Sequence, residues 1–106
     1  MTRAVIDPGI CGIRTVVEVD KITQRKVRIR ITSDCQKVKE LGESLGELDT
    51  FETFKQHKDC AVYKGASSCS LHVSCPVPMA ILKTIEIAAG FALPRDVVVR
   101  FENPPA

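Results

Sequence analysis

The chain has 106 residues, of which 44% are hydrophobic and 26% are charged. This length suits one small domain, and the composition is that of a globular protein rather than of a disordered chain. A net charge of +2 is low for a dedicated nucleic-acid binder, and no stretch approaches the ~20 apolar residues of a membrane span. The N-terminus lacks a secretion signal. We therefore expect a single cytoplasmic domain over residues 1–106, with a frayed tail at 103–106.

The first third of the chain predicts an antiparallel hairpin. After a short apolar start, apolar and polar residues alternate over Ile13–Val19 and again over Val27–Ile31, with the polar segment Asp20–Arg25 between them. Two period-2 runs around one polar turn are typical of paired strands with one solvated face. We expect the turn to be centred near Ile22 and Thr23.

Three helices are predicted after the hairpin. Ser33 and Asp34 offer side-chain oxygens that cap a first helix, which ends near Gly46. Asp49 and Glu52 resemble a capping box at the start of a short second helix. Residues 56–74 are the least regular part of the chain, with an extended piece at 61–63.

The strongest helix is predicted to begin at Cys75-Pro76 and to end at Gly90, since proline is favoured in the first turn and glycine just past the last one. A final strand follows Pro94, with Val97, Val99 and Phe101 on one face. The resulting order, β-β-α-α-α-β, predicts an α+β fold. We expect a small, mainly antiparallel sheet, built from the hairpin and the C-terminal strand, with two or three helices on one face.

The cysteines provide most of the sequence evidence about function. Five of them in a chain of this size favour metal or sulfur chemistry where thiols stay reduced. Cys11 precedes the first hairpin strand and Cys35 follows the second, so we expect them within roughly 5–10 Å of each other. If the last strand pairs with the first hairpin strand, Cys75 reaches the same end of the sheet. Cys69 is close enough in sequence to join it, whereas nothing brings Cys60 there.

The predicted surroundings of these thiols favour an anionic sulfur site. Cys35 and Cys75 lie at predicted helix N-termini, which lower the pKa of a thiol, and Cys11 lies in a loop rich in glycine. No two cysteines have the close spacing of a zinc ribbon. The sequence therefore predicts an iron–sulfur cluster, with zinc as the alternative. The expected ligands are Cys11, Cys35, Cys75 and, as the fourth, Cys69, with His72 as a further candidate.

The whole chain resembles a family of small uncharacterised proteins of anaerobic bacteria and archaea. The resemblance implies no established activity, although an anaerobic setting would suit an oxygen-sensitive cluster. It rests on the segments Gly9-Ile10-Cys11-Gly12, Ser33-Asp34-Cys35, His72-Val73-Ser74-Cys75-Pro76-Val77-Pro78 and Ala92-Leu93-Pro94-Arg95-Asp96-Val97.

A second resemblance is local. Cys75-Pro76-Val77-Pro78 at the start of an amphipathic helix is similar to the Cys-Pro-x-Pro motif of TusA-like sulfur carriers. The resemblance implies that Cys75 carries a persulfide. In those carriers the motif follows the first strand, whereas here it opens the last helix, and Cys11 and Cys35 have no counterpart in the motif.

Three functions follow from these observations. The first is an iron–sulfur or zinc protein for electron transfer or for delivery of its metal to a partner, which would be a larger redox enzyme or an assembly protein. The second is a sulfur relay through Cys75, with Cys11 or Cys35 as resolving thiol. The third is an interaction module with buried cysteines that docks through the basic residues of its sheet. The chain lacks the sequence motifs of hydrolases and nucleotide-binding proteins, and we do not expect it to act as an independent enzyme. The basic residues of the third function are Arg14, Lys26, Arg28 and Arg30.

Overall fold

A β-hairpin forms the centre of the sheet. In the computed structural model, which describes residues 1–103, β2 (Thr15–Thr23) pairs antiparallel with β3 (Lys26–Ser33). The chain turns at Gln24-Arg25, so the predicted turn near residues 22 and 23 is wrong by two residues. The predicted alternation is confirmed, because every second side chain of both strands faces the core. Those of Thr15, Val17, Val19, Val27 and Ile29 are buried.

Two further strands complete the sheet. β1 (Thr2–Ile6) pairs antiparallel with β2, and the short β4 (Glu47–Asp49) pairs antiparallel with the start of β3. The strand order is β1-β2-β3-β4. The fold is thus α+β with an antiparallel sheet, as predicted, although the sequence analysis recognised neither β1 nor β4 as a strand.

The predicted C-terminal strand is wrong. Residues 97–103 form neither strand nor helix, and Val97, Val99 and Phe101 are exposed. The edge of β2 that this segment was expected to join is occupied by β1. Part of the predicted tail, residues 104–106, lies outside the described residues.

Three α-helices cover one face of the sheet. They are α1 (Gln36–Leu45), α2 (Ala61–Ser68) and α3 (Val77–Ala89), and a short 3₁₀ helix, Thr50–Phe54, follows β4. The predicted extended piece at 61–63 is therefore wrong, since it forms the first turn of α2. The helices bury their apolar faces against the inner face of the sheet, and the largest fully buried side chains are those of Leu41, Ile81, Ile85, Val17, Val19, Val27, Val62 and Val77.

The helix starts differ in detail from the prediction. Cys35 is the N-cap of α1 but makes no side-chain cap, so neither Ser33 nor Asp34 has the expected role. Pro76 is the N-cap of α3, one residue later than predicted. Asp49 does cap the 3₁₀ helix, because its carboxylate accepts a hydrogen bond from the Phe51 N–H at 2.9 Å.

Glu52 does not complete the predicted capping box. Its carboxylate accepts hydrogen bonds from the Ala61 N–H at 2.9 Å and from the Lys55 ammonium at 2.7 Å. Burial acts to raise the pKa of this carboxyl, but the two hydrogen bonds outweigh it and lower the pKa overall. Glu52 thus satisfies the first N–H of α2 and ties that helix to the 3₁₀ helix.

α1 lies unusually close to β3 at Gly42. A Cβ atom added at this position would lie 2.9 Å from the Cβ of Ile31. That neighbour is the branch point of a side chain on a paired strand, and it cannot rotate away. Gly42 therefore sets the distance between α1 and the sheet, in spite of the weak helix propensity of glycine.

We predict that Gly42→Ala lowers the free energy of unfolding by about 1–2 kcal/mol, because overpacking outweighs the gain in helix propensity. Gly65→Ala in α2 is the matched control, since the atom closest to its Cβ would be the end of the Leu41 side chain, at 2.9 Å, rather than the branch point of a strand residue. Urea denaturation of the two variants measures the difference. A Gly42→Ala protein as stable as the Gly65→Ala protein would contradict the close approach.

Candidate metal centre

The backbone of Cys35 is held by hydrogen bonds at the open end of the hairpin. Thr15 and Ser33 are a paired position at this end of β2 and β3, and the buried Thr15 hydroxyl donates to the Ser33 Oγ at 2.9 Å. The same Ser33 oxygen accepts a hydrogen bond from the Cys35 N–H at 3.1 Å. One buried hydroxyl pair thus joins the two strands and holds the backbone at the start of α1.

Cys75 lies directly before the N-cap of α3. Its N–H donates to the His72 carbonyl at 3.1 Å, which closes a turn between the two residues. The Cys75 side chain is half-buried and packs against the core. Its thiol also receives a hydrogen bond from the Val77 N–H, in the first turn of α3.

The electrostatics of Cys75 relate it to two other thiols. Burial raises the pKa of the Cys75 thiol, the hydrogen bond from Val77 lowers it, and the charges of Cys35 and Cys11 raise it further. Charges act on a thiol in this way only at short range. Cys75 is thus electrostatically coupled to both of the other thiols.

Cys11 lies on the exposed loop between β1 and β2. Gly9 and Gly12 both have positive φ, at 91° and 67°, and the Gly12 N–H donates to the Gly9 carbonyl at 2.9 Å. The loop thus makes a tight turn that displays Cys11. Because β2 begins only at Thr15, Cys11 lies outside the ladder between β2 and β3.

Cys69 and His72 do not contribute to the pKa shift of the Cys75 thiol. Cys69 is half-buried at the C-cap of α2, and its charge is not among those that raise the pKa of Cys75. His72 is exposed. Cys60 is buried in the core, at 2% exposure. Its charge acts on Lys55, where it adds to the effect of the hydrogen bond that the Lys55 ammonium donates to Glu52, which chiefly raises the pKa of that ammonium.

Within residues 1–103, no group of three or more His, Cys, Asp or Glu side chains is arranged to hold a metal ion. The thiols of Cys11, Cys35 and Cys75, although electrostatically coupled through Cys75, are not such a group. No atom lies within 4 Å of a Cβ built at Gly9 or Gly12, so the loop backbone is open at both glycines.

Residues 2–101 match a family model, that of DUF6951, a family of unknown function. The chain belongs to this family. No curated protein and no solved structure matches the chain.

For this DUF6951 chain, the expectation that helix N-termini lower the pKa of the thiols is wrong at Cys75. The Val77 N–H does lower the pKa, but burial is the larger effect and the net change is upward. The free thiol is therefore protonated at neutral pH. Only a ligand that replaces the proton, such as a metal ion, makes the thiolate stable there.

The basic residues of the sheet are largely neutralised by neighbouring acids. Arg28 and Glu47 form an ion pair at 3.0 Å, and Lys26 contacts the same carboxylate at 3.8 Å. Arg30 pairs with Asp20 at 3.2 Å. This face therefore offers little free positive charge for an acidic partner. Among the described residues, no helix is long and apolar enough to span a membrane.

The sequence analysis missed the Thr15–Ser33 hydroxyl pair. Both residues occupy inward-facing positions of strands that are otherwise lined by valine and isoleucine. The signal that could have revealed the pair is a hydroxyl residue in phase with the apolar face of each hairpin run, with Thr15 four residues after Cys11 and Ser33 two residues before Cys35.

We predict that Cys35→Ser lowers the pKa of the Cys75 thiol, because it removes one of the two charges that raise it. The pH dependence of Cys75 alkylation, followed by mass spectrometry on reduced, metal-free protein, measures this pKa. Cys69→Ser is the control and leaves the pKa unchanged. Equal pKa values in the wild-type and Cys35→Ser proteins would show that the two thiols are too far apart to share a ligand.

Proposed function

We propose that the chain is a small metalloprotein that binds an iron–sulfur cluster, with zinc as the alternative, through Cys11, Cys35 and Cys75. The observation that carries this proposal is the electrostatic coupling of Cys75 to Cys35 and Cys11, whose charges add to the burial that chiefly raises the pKa of the Cys75 thiol. Three distant segments of the chain supply these thiols. Cys69 is the proposed fourth ligand, with His72 as a further candidate.

The electrostatics of the trio favour a cation. Burial, and then the charges of Cys35 and Cys11, raise the pKa of the half-buried Cys75 thiol, so Cys75 keeps its proton in the absence of metal. Ionised thiols held close together would repel one another. A metal ion or cluster between them replaces this repulsion with attraction. Because the protons must leave first, metal affinity falls as the pH falls. The fall is roughly tenfold per pH unit for each thiol that is protonated in the metal-free protein.

Metal binding also gives a role to the loop of Cys11. Cys35 and Cys75 are held by hydrogen bonds of their own N–H groups, at 3.1 Å to Ser33 Oγ and 3.1 Å to the His72 carbonyl. Cys11 is exposed between two glycines of positive φ. Two anchored ligands and one adjustable ligand would let the site close around a cluster and open again for transfer.

The proposed role is electron transfer, or delivery of the cluster or metal to a larger redox enzyme or an assembly protein. Independent catalysis is not proposed. A cytoplasmic location suits thiols that must stay reduced, and the resemblance to proteins of anaerobes suits an oxygen-sensitive cluster.

We expect protein purified without oxygen to contain iron and acid-labile sulfide, and to be brown. Cys11→Ser, Cys35→Ser and Cys75→Ser should each remove the colour and most of the iron, whereas Cys60→Ala should keep both. Metal and sulfide analysis, with circular dichroism to confirm folding, measures this.

The outcomes of that analysis separate the alternatives. Stoichiometric zinc without sulfide supports zinc as the bound metal, provided that the three serine variants lose the zinc. A wild-type protein free of metal, or metal that persists in all three serine variants, would refute the proposal.

A sulfur carrier is the second candidate, and the hydrogen bond from the Val77 N–H to the Cys75 sulfur favours it. That N–H, in the first turn of α3, could stabilise the anion of a persulfide on Cys75. The sulfane sulfur would come from the persulfide of a donor such as a cysteine desulfurase. The Cys75 thiol would take this sulfur, and the donor would be left with a thiol.

In this case we expect metal-free protein to gain the mass of one sulfur atom on incubation with a cysteine desulfurase and cysteine. Cys75→Ser abolishes the gain, whereas Cys69→Ser, the nearest cysteine in sequence, retains it. Mass spectrometry under non-reducing conditions measures this. A gain that persists in Cys75→Ser would exclude the carrier role of that residue.

A further inference from the structure

We propose that the chain forms a symmetric homodimer, in which residues 97–102 of each copy add a strand to the free edge of β1 in the other copy. We call residues 97–102 the C-terminal arm. This association involves neither the thiols nor a metal, and it is independent of the proposed function.

The C-terminal arm has the sequence of a strand but no strand partner. Val97, Val99 and Phe101 alternate with Val98, Arg100 and Glu102, a pattern typical of a strand with one apolar face. In the structure, Val99 is 72% exposed and Phe101 is 85% exposed. Large apolar side chains in one short segment are rarely left in water without a partner.

The accessible surface area of the chain exceeds that of a compact monomer of the same mass. The accessible surface is 7221 Å², whereas a compact monomer of 11.6 kDa exposes about 5,800 Å². The excess is about 1,400 Å², and a standard protein interface buries about 800 Å² on each partner. The molecule is also elongated, with extents of 52 × 29 × 25 Å. The excess surface is thus sufficient for a stable dimer.

The free edge of β1 is the surface that is complementary to the C-terminal arm. β1 pairs with β2 on one side, and no strand among residues 1–103 pairs with its other side. A free edge presents a row of unpaired N–H and C=O groups. β1 has five residues, Thr2–Ile6, which matches the length of the arm, whereas the opposite edge strand, β4, has only three.

The direction of the chain after α3 favours pairing of the arm with β1 of a second copy over pairing with its own β1. Phe91, just after α3, packs against Phe51 and Phe54 of the 3₁₀ helix, with ring centroids 6.3 and 5.0 Å away. The 3₁₀ helix follows β4, which pairs with the start of β3, so α3 ends near the hairpin turn. β1 begins at this end too, because Thr2 is paired with Val19.

An arm that returned along its own β1 would consequently run parallel to it, although every ladder of this sheet is antiparallel. A second copy can present its arm in the antiparallel direction, which is the more stable pairing. Each copy then both gives an arm and receives one, so two equal contacts close the dimer.

The test compares Val99→Glu with Val98→Glu in the metal-free chain, in the presence of a chelator. In the proposed dimer Val99 shares the apolar face of the arm, whereas Val98 lies on the opposite, polar face. We expect wild type and Val98→Glu to sediment as dimers of about twice 11.6 kDa. Val99→Glu should weaken the dimer roughly a hundredfold or more, because it buries an unpaired carboxylate. Its circular dichroism should still be that of a folded chain, changed only by the loss of the strand that the arm forms in the dimer, since the arm is exposed in the monomer.

Hydrogen exchange identifies the surfaces that pair. The amides of the arm and the outward amides of Thr2–Ile6 should be protected in the dimer and should lose protection on dilution and in Val99→Glu. A wild-type chain that is monomeric at every concentration would overturn the proposal and would mean that the arm binds a different protein. A dimer that Val99→Glu leaves intact, or one that protects the arm but not β1, would overturn it as well.

Discussion

The antiparallel ladder between β2 and β3 is the constraint on which the rest of the structure depends. It brings Thr15 opposite Ser33, and the hydrogen bond between their buried hydroxyls holds the open end of the hairpin together. The loop of Cys11 enters the hairpin at this end and α1 leaves from it at Cys35. Because α3 begins at the same end, residues that are far apart in sequence become neighbours there.

This arrangement places like charges together at a half-buried position. Burial and the charges of Cys11 and Cys35 all raise the pKa of the Cys75 thiol, and only the hydrogen bond from Val77 opposes them. An apolar side chain at any of these positions would remove this repulsion. When all three thiols are ionised they repel one another, and a metal ion or cluster bound between them removes that repulsion.

Much of this could be predicted from the sequence, and the errors have physical causes. Period-2 alternation identified the hairpin, and the proline and glycine that flank α3 identified that helix. The C-terminal arm has the same local pattern as a strand, but pairing depends on which edge is free, and β1 had taken the edge of β2. The proximity of Cys11 and Cys35 is a prediction made from strand direction alone. The raised pKa of Cys75 did not, since burial depends on packing against the core.

The most direct test of the central claim is to map disulfides after mild oxidation of the metal-free protein with diamide. A disulfide forms without backbone strain only where two Cα atoms lie within about 7 Å. We predict intramolecular bonds among Cys11, Cys35 and Cys75, with Cys60 left as a thiol. Bonds that involve Cys60, or purely intermolecular links that leave the three thiols unbridged, would contradict the account.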